Sequence, residues 1–100
     1  MAYNRETLEQ ILNRIPTGQV TRHGLLAKAL GTTARAVAPA ICRFTGPGRL
    51  RVVMKGGWFP HPDDKDDCRE RARFLNAEGL HISDDGLRVL VNEEQMWRPQ

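Results

Sequence analysis

The chain has 100 residues and a formal net charge of +3 at pH 7, with 40% apolar and 27% charged side chains. This composition is typical of a globular domain and excludes a disordered or collagen-like chain. No apolar run is long enough to cross a bilayer, and the N-terminus lacks the apolar core of a signal peptide. Two cysteines, Cys42 and Cys68, are too few for a disulfide-built secreted protein. We therefore expect one domain with reduced thiols in the cytoplasm.

The positive charge is concentrated in the first half of the chain. Residues 1–55 contain nine basic and two acidic side chains, whereas residues 56–100 contain six basic and ten acidic ones. A basic surface joined to an acidic one favours a polyanionic partner. A solvated surface of mixed charge explains the same counts equally well.

Three helices are predicted in the basic half, because apolar residues recur there at helical spacing behind capping residues. They cover residues 4–15 with Asn4 as N-cap, residues 22–30 after Thr21, and residues 34–44 after Thr32 or Thr33. Two short helices joined by a tight turn that contains glycine form a helix-turn-helix unit. The second and third predicted helices fit that unit.

The pattern changes from helical to β after residues 45–48. The later predicted elements are a β segment at 51–54, a hairpin or loop at 55–57, Trp58-Phe59, a helix over 63–77 and a hairpin over 80–91. The acidic residues that begin the fourth helix suit the positive end of its dipole. The fold class is therefore α+β, with three N-terminal helices, short β segments and a fourth helix.

The residues nominate no enzyme and no metal or cofactor site. Ser83 is the only serine and lies in a hairpin turn, which argues against a serine triad. The acidic run at 63–67 lacks the spacing of a calcium loop, and the histidines and cysteines are too scattered for zinc. No glycine-rich phosphate loop occurs. Cys42 and Cys68 fall on the apolar sides of their helices and are interpreted as packing residues.

Several short segments resemble the O6-alkylguanine-DNA alkyltransferases and the alkyltransferase-like proteins. They are GQVT at 18–21, LA at 26–27, Gly31, ARAVA at 34–38, Glu78-Gly79 and the tryptophan near the C-terminus. In that family a G-x-V entry leads to a recognition helix that contains A-R-A-V-G. The resemblance extends over residues 4–98. It implies that residues 1–100 form a single alkyltransferase-like, winged helix-turn-helix DNA-binding domain.

The chain departs from the family at its active-site motif, Pro-Cys-His-Arg-Val. Residues 48–52 read GRLRV, so that Arg49 stands at the position of the acceptor cysteine, and Cys42 is expected elsewhere in the fold. Alkyltransferase-like proteins also lack this cysteine, and they bind the lesion without repairing it. His23 aligns with the family's tyrosine. Pro39 follows the A-R-A-V-A segment and predicts either a kink or a restart of the recognition helix.

The resemblance implies a non-enzymatic protein that recognises alkylated guanine by nucleotide flipping. Arg35 would be the arginine finger that fills the space of the extruded base, since a guanidinium can hydrogen-bond the orphaned base and stack on its neighbours. A solvated helix arginine is the alternative reading of this residue. The expected DNA-binding residues are Arg22, His23, Thr33, Ala34, Arg35, Ala36 and Arg43.

A lesion pocket is implied around the β segment. Its expected residues are His23, Arg49, Val52, Trp58 and Phe59. Core packing explains Trp58 equally well. Arg49 either contacts the base or a phosphate, or blocks the pocket.

The partners implied by the resemblance are double-stranded DNA, including duplexes with O6-alkylguanine, and nucleotide excision repair proteins. We expect a monomer without cofactor, metal or membrane contact. Two other functions remain open from the residues: a winged-helix regulator without lesion specificity, and a protein-interaction module whose basic face meets an acidic partner. Binding of nucleic acid separates the first two functions from the third.

Overall fold

The computed structural model describes residues 3–99, in which four helices accompany very short strands. The elements are α1 (Arg5–Arg14), β1 (Thr21–Arg22), α2 (His23–Leu30), α3 (Ala34–Arg43), β2 (Val52–Val53), α4 (Lys65–Ala77), β3 (His81–Ile82) and β4 (Val89–Leu90). Short 3-10 turns occupy Pro47–Arg51, Lys55–Gly57 and Glu93–Gln95. The α+β class, the three N-terminal helices and the fourth helix are confirmed.

Local capping explains where two of the helices begin. The Asn4 side chain accepts hydrogen bonds from the N–H groups of Glu6 (2.9 Å) and Thr7 (3.3 Å). The Thr33 hydroxyl accepts from the N–H of Ala36 (3.2 Å) at the start of α3. Both residues satisfy backbone donors that have no partner within the helix. The predicted caps Asn4 and Thr33 are therefore confirmed.

The cap predicted at Thr21 is wrong. Thr21 is fully buried in β1, which pairs in parallel with β2 in the register Thr21 to Val52. The N-cap of α2 is Arg22, which makes no side-chain capping bond. Pairing with Val52, 31 positions along the chain, therefore overrides the local capping preference of threonine.

The helix-turn-helix unit consists of α2 and α3, which are bent by 108° relative to each other. Gly31 ends α2 in the left-handed conformation, with φ +70°, and so allows the tight turn. Within residues 3–99, no single helix is long and apolar enough to span a membrane, and only α2 and α3 taken as this bent pair have the necessary length and apolar character.

The recognition helix α3 continues through Pro39 without a restart. Because proline has no N–H, the carbonyl of Arg35, four residues earlier, loses its usual intrahelical hydrogen bond. The interior proline therefore removes one intrahelical hydrogen bond near the start of the helix.

Strand β2 lies between two hydrophobic clusters. Val52 packs with α1, α2 and α3, whereas Val53 packs with α4 and the β3–β4 hairpin. This division follows from the strand geometry, since successive side chains point to opposite faces. The β segment that precedes Met54 is thereby held against the helix-turn-helix unit.

The final hairpin is confirmed as an antiparallel pair of β3 and β4, with His81 opposite Leu90. The predicted loop at Lys55–Gly57 packs against it. Gly57 has φ +86°, and a Cβ built on it would lie 2.1 Å from the carbonyl oxygen of Val89. Only glycine allows the loop to approach the hairpin so closely.

Candidate nucleic-acid interface

The start of α3 presents an unpaired arginine between small side chains. Arg35, Thr33 and Ala34 are exposed and Ala36 is half-buried. Within residues 3–99, the ion pairs and hydrogen bonds do not engage the Arg35 guanidinium. The Tyr3 hydroxyl donates to the carbonyl of Ala36 (3.3 Å) and steadies this turn from the other side. The Arg35 guanidinium is therefore available for contact with a binding partner.

The two other arginines expected at the interface differ from each other. Arg43 is exposed at the end of α3, about 12 Å along the helix axis from Arg35. Arg22 is half-buried, and its Nε atom is buried without a hydrogen-bond partner. Arg43 is therefore solvent-exposed like Arg35, whereas part of the Arg22 side chain is buried in the protein.

A cavity of about 140 Å³ lies between α3, β2 and α4. It is lined by His23, Ile41, Cys42, Arg49, Val52, Pro60, His61, Asp67 and Arg71. Three of the five expected pocket residues, His23, Arg49 and Val52, therefore meet at one place. Among residues 3–99, no three His, Cys, Asp or Glu side chains are placed to share a metal ion.

Trp58 and Phe59 do not line this cavity. Trp58 is 44% exposed, with the Arg88 guanidinium 5.0 Å from its ring centroid, so that core packing is also wrong for it. Phe59 is buried, and the guanidinium of Arg71 lies 5.9 Å from its ring centroid. Successive side chains of an extended segment point to opposite faces, so the Trp58 ring faces outward after the Gly57 turn and the Phe59 ring faces the core.

Arg49 is held by carboxylates of α4. Its guanidinium donates to Asp67 (3.1 Å) and to Glu70 (3.2 Å), and the side chain is 22% exposed. The Arg49 side chain thus forms part of the cavity wall. A base or phosphate would have to compete with these two carboxylates for it.

Arg71 is the main site residue that sequence reasoning missed. It is 2% exposed, and its Nη1 donates to the carbonyl oxygens of Val52 (2.7 Å) and Arg49 (3.0 Å). Burial lowers the pKa of the guanidinium, and the nearby Asp67 carboxylate opposes that shift. Arg71 therefore pins the backbone that carries Arg49 and Val52. The sequence signal that could have identified Arg71 is its position between Cys68 and Leu75 on the apolar face of the helix.

His23 faces the backbone of β2. Its Nδ1 lies 3.3 Å from the carbonyl oxygen of Val53, so that a proton on Nδ1 completes this hydrogen bond. Burial lowers the pKa of the imidazole, while the hydrogen bond to Val53 opposes the shift. The ring is therefore neutral near pH 7, with Nε2 as an acceptor.

The two cysteines have different surroundings. Cys68 is buried and its thiol donates to the carbonyl of His61 (3.3 Å), which confirms the packing interpretation. For Cys42 that interpretation is wrong, because Cys42 is exposed and its Sγ lies 3.2 Å from His61 Nε2. The buried face of α3 uses Val37 and Ile41, and the next residue is rotated by about 100° from it. Cys42 also lines the same cavity as Arg49, so its expected separation from the site is wrong.

The arginine and glutamate of the family-like motifs form a structural ion pair. Arg51 Nε donates to Glu78 (3.0 Å), which also accepts from the N–H of Gly18 (2.8 Å). Arg51 Nη1 donates to the carbonyl of Ile15 (3.1 Å). Burial raises the pKa of Glu78, whereas the hydrogen bonds from Arg51 and Gly18 lower it. The hydrogen bonds together outweigh burial, so the net shift of the pKa is downward. This pair joins the ends of α1 and α4.

Comparison with known proteins finds a relative in sequence and solved structures of similar fold. No protein-family model matches the chain. The methylated-DNA–protein-cysteine methyltransferase of Archaeoglobus fulgidus is 36% identical over 85 residues, which cover 79% of this chain and 57% of the relative. The chain thus spans just over half the length of the curated relative it matches.

Two solved structures share the fold. S. pombe Atl1 in complex with damaged DNA containing O6-carboxymethylguanine has a TM-score of 0.78, and S. pombe ATL in complex with DNA has one of 0.76. Each is 24% identical, and each alignment covers 95% of this chain and 94% of the other. The fold of this chain is therefore the fold of those DNA-bound proteins.

Proposed function

We propose that the chain belongs to the family of the methylated-DNA–protein-cysteine methyltransferases and the alkyltransferase-like proteins, to which it is similar in sequence and in fold. In this proposal it binds duplex DNA, recognises alkylated guanine by nucleotide flipping and transfers no alkyl group. Residues 1–100 act as a single winged-helix DNA-binding domain in this proposal. The observation that carries it is Arg35, which is exposed at the start of the recognition helix and pairs with no carboxylate among residues 3–99. The S. pombe complexes with DNA support it.

In the proposed complex Arg35 enters the duplex and occupies the space of the flipped nucleotide. Its guanidinium can hydrogen-bond the orphaned base, which offsets an unstacking cost of a few kcal/mol. Ala34 and Ala36 have small side chains that let the helix approach the DNA backbone, and Thr33 and Arg43 can donate to phosphates. Arg22 and His23 contribute from the preceding strand and helix.

The cavity at Arg49 receives the flipped base in this proposal. Its volume of about 140 Å³ is below the 300–1,000 Å³ that is usual for a ligand pocket. Entry of a base therefore requires the Arg49 side chain to move away from Asp67 and Glu70. His23 Nε2 is available at the cavity as an acceptor for a base or backbone donor.

The proposal excludes alkyl transfer at position 49 for a chemical reason. A guanidinium remains protonated in proteins and offers no nucleophilic lone pair. Incubation with a duplex containing O6-alkylguanine should therefore leave the intact protein mass unchanged. A stoichiometric alkyl adduct on Cys42 or Cys68 would contradict this proposal.

The test of the function is a binding titration on matched duplexes with and without O6-alkylguanine at one salt concentration. We expect tighter binding to the lesion. Equal binding to both duplexes favours a winged-helix regulator without lesion specificity, and no binding favours a protein-interaction module. We further propose that the protein acts as a cytoplasmic monomer that signals to nucleotide excision repair proteins, on the basis of the family resemblance alone.

A further inference from the structure

We propose that Cys42, paired with His61 at the cavity, is a thiol modification site that exchanges with small disulfides such as oxidised glutathione. The mixed disulfide closes the cavity to DNA, and this second step rests on the proposed function. The modification itself does not depend on that function.

The two side chains are placed for proton transfer. Cys42 Sγ lies 3.2 Å from His61 Nε2, and both residues are exposed. Arg49 and Arg71 line the same cavity, with Asp67 between them. An accessible cysteine beside an imidazole that can take its proton has the setting of a reactive thiol, because the thiolate is the nucleophile.

The exchange balances without a further reactant. His61 Nε2 takes the proton of the Cys42 thiol, and the thiolate attacks one sulfur of the small disulfide. The S–S bond of that disulfide breaks, a new S–S bond forms to Cys42, and the other half leaves as a thiolate that takes up the proton from His61. The protein thiol is oxidised and the small disulfide is reduced. Acceptance of an alkyl group is a different reaction from this exchange, because the thiolate would have to attack a carbon atom and guanine would have to leave.

Cys68 provides an internal control in the same neighbourhood. Its side chain is buried, and its thiol donates to the backbone carbonyl of His61 rather than to the ring. Burial raises the pKa of the Cys68 thiol, and the charge of Asp67 raises it further. Both thiols contact His61, but only Cys42 is exposed to solvent and has the imidazole ring as a base.

Modification of Cys42 would obstruct the interface by its position. Cys42 lies on α3 seven residues after Arg35, about 10 Å along the helix axis, and borders the cavity of about 140 Å³. An attached tripeptide is larger than that cavity and must fill its mouth or cover the adjoining face of α3.

The first experiment treats the reduced protein with oxidised glutathione and follows intact mass and peptide masses. We expect one adduct, on Cys42, in the wild type and in Cys68→Ser, and none in Cys42→Ser. His61→Gln should slow the reaction at least about tenfold, with thermal unfolding as a check on its fold. A preference for Cys68, or an undiminished rate in folded His61→Gln, would overturn the proposal.

The second experiment measures binding of the modified protein to lesion duplex before and after treatment with dithiothreitol. We expect at least a tenfold loss of affinity that the reductant reverses, and no effect of oxidised glutathione on Cys42→Ser. Adduct formation without loss of binding would overturn the blocking step. If reduced wild type shows no lesion preference, the proposed function fails, whereas the mass result still decides the modification site.

Discussion

At the scale of single residues, a buried arginine organises the candidate site. Arg71 holds the carbonyls of Arg49 and Val52 from an almost fully buried position. We predict that Arg71→Met lowers the free energy of unfolding by about 3–5 kcal/mol, because it leaves two carbonyls and the Asp67 carboxylate without this partner. Urea unfolding measures the loss. The exposed Arg73 provides the control, and Arg73→Met should change stability by less than about 0.5 kcal/mol.

A second residue-scale prediction concerns Glu78 and acid stability. Its pKa in the folded protein lies below the usual value of about 4.3. The ionised carboxylate thus stabilises the fold above that pH, and the contribution is lost as the pH falls through the folded pKa. Glu78→Gln should cost about 3 kcal/mol at pH 7, and its difference from wild type should shrink below pH 4. A difference that is constant from pH 7 to pH 3 in urea titrations would contradict this assignment.

A third residue-scale prediction separates base flipping from contact with phosphates. Arg35→Ala should abolish the fluorescence rise of a 2-aminopurine beside the target base, even at protein concentrations that restore binding. Arg43→Ala is the matched control on the same helix, and it should weaken all duplexes alike with the signal retained at saturation. Wild-type protein that leaves the fluorescence unchanged at saturation would be evidence against flipping.

At the scale of the elements, Pro39 weakens the recognition helix that presents Arg35. We predict that Pro39→Ala raises the free energy of unfolding by about 1–2 kcal/mol. The restored hydrogen bond to the Arg35 carbonyl favours the fold, while the greater freedom of the unfolded chain opposes it. Thermal unfolding measures the change. Ala38→Gly, at the neighbouring position, should destabilise the same helix by about 1 kcal/mol, so a loss of stability in both variants would contradict the argument.

At the scale of the whole molecule, the basic half should dominate DNA affinity. If roughly four phosphates are neutralised, the logarithm of the binding constant should fall against the logarithm of salt concentration with a slope of about −3.6. Titrations at several salt concentrations on intact duplex measure it. The charge-reversal variant Arg43→Glu should give a shallower slope. A slope near zero would support the protein-interaction function.

Much of the element order could be predicted from the sequence, because its signals are local. Helical spacing and the caps Asn4 and Thr33 act within one or two turns, and they place α1 and α3 within a residue or two of the structure. The ARAVA segment carried the family resemblance and placed Arg35 on the recognition helix. The short strands had no such signal, since two residues show no periodicity.

The tertiary structure alone decided the chemistry of the cavity. Cys42 meets His61 across 19 positions of the chain, and Arg49 meets Asp67 across 18. Such contacts depend on how α3, β2 and α4 pack, whereas propensity and spacing describe each element separately. The sequence by itself determined a helix-turn-helix with an exposed Arg35. Packing decided that Arg49 turns to the carboxylates of α4, that Arg71 is buried beneath it, and that Cys42 borders the same cavity, because side-chain partners are set by proximity in space.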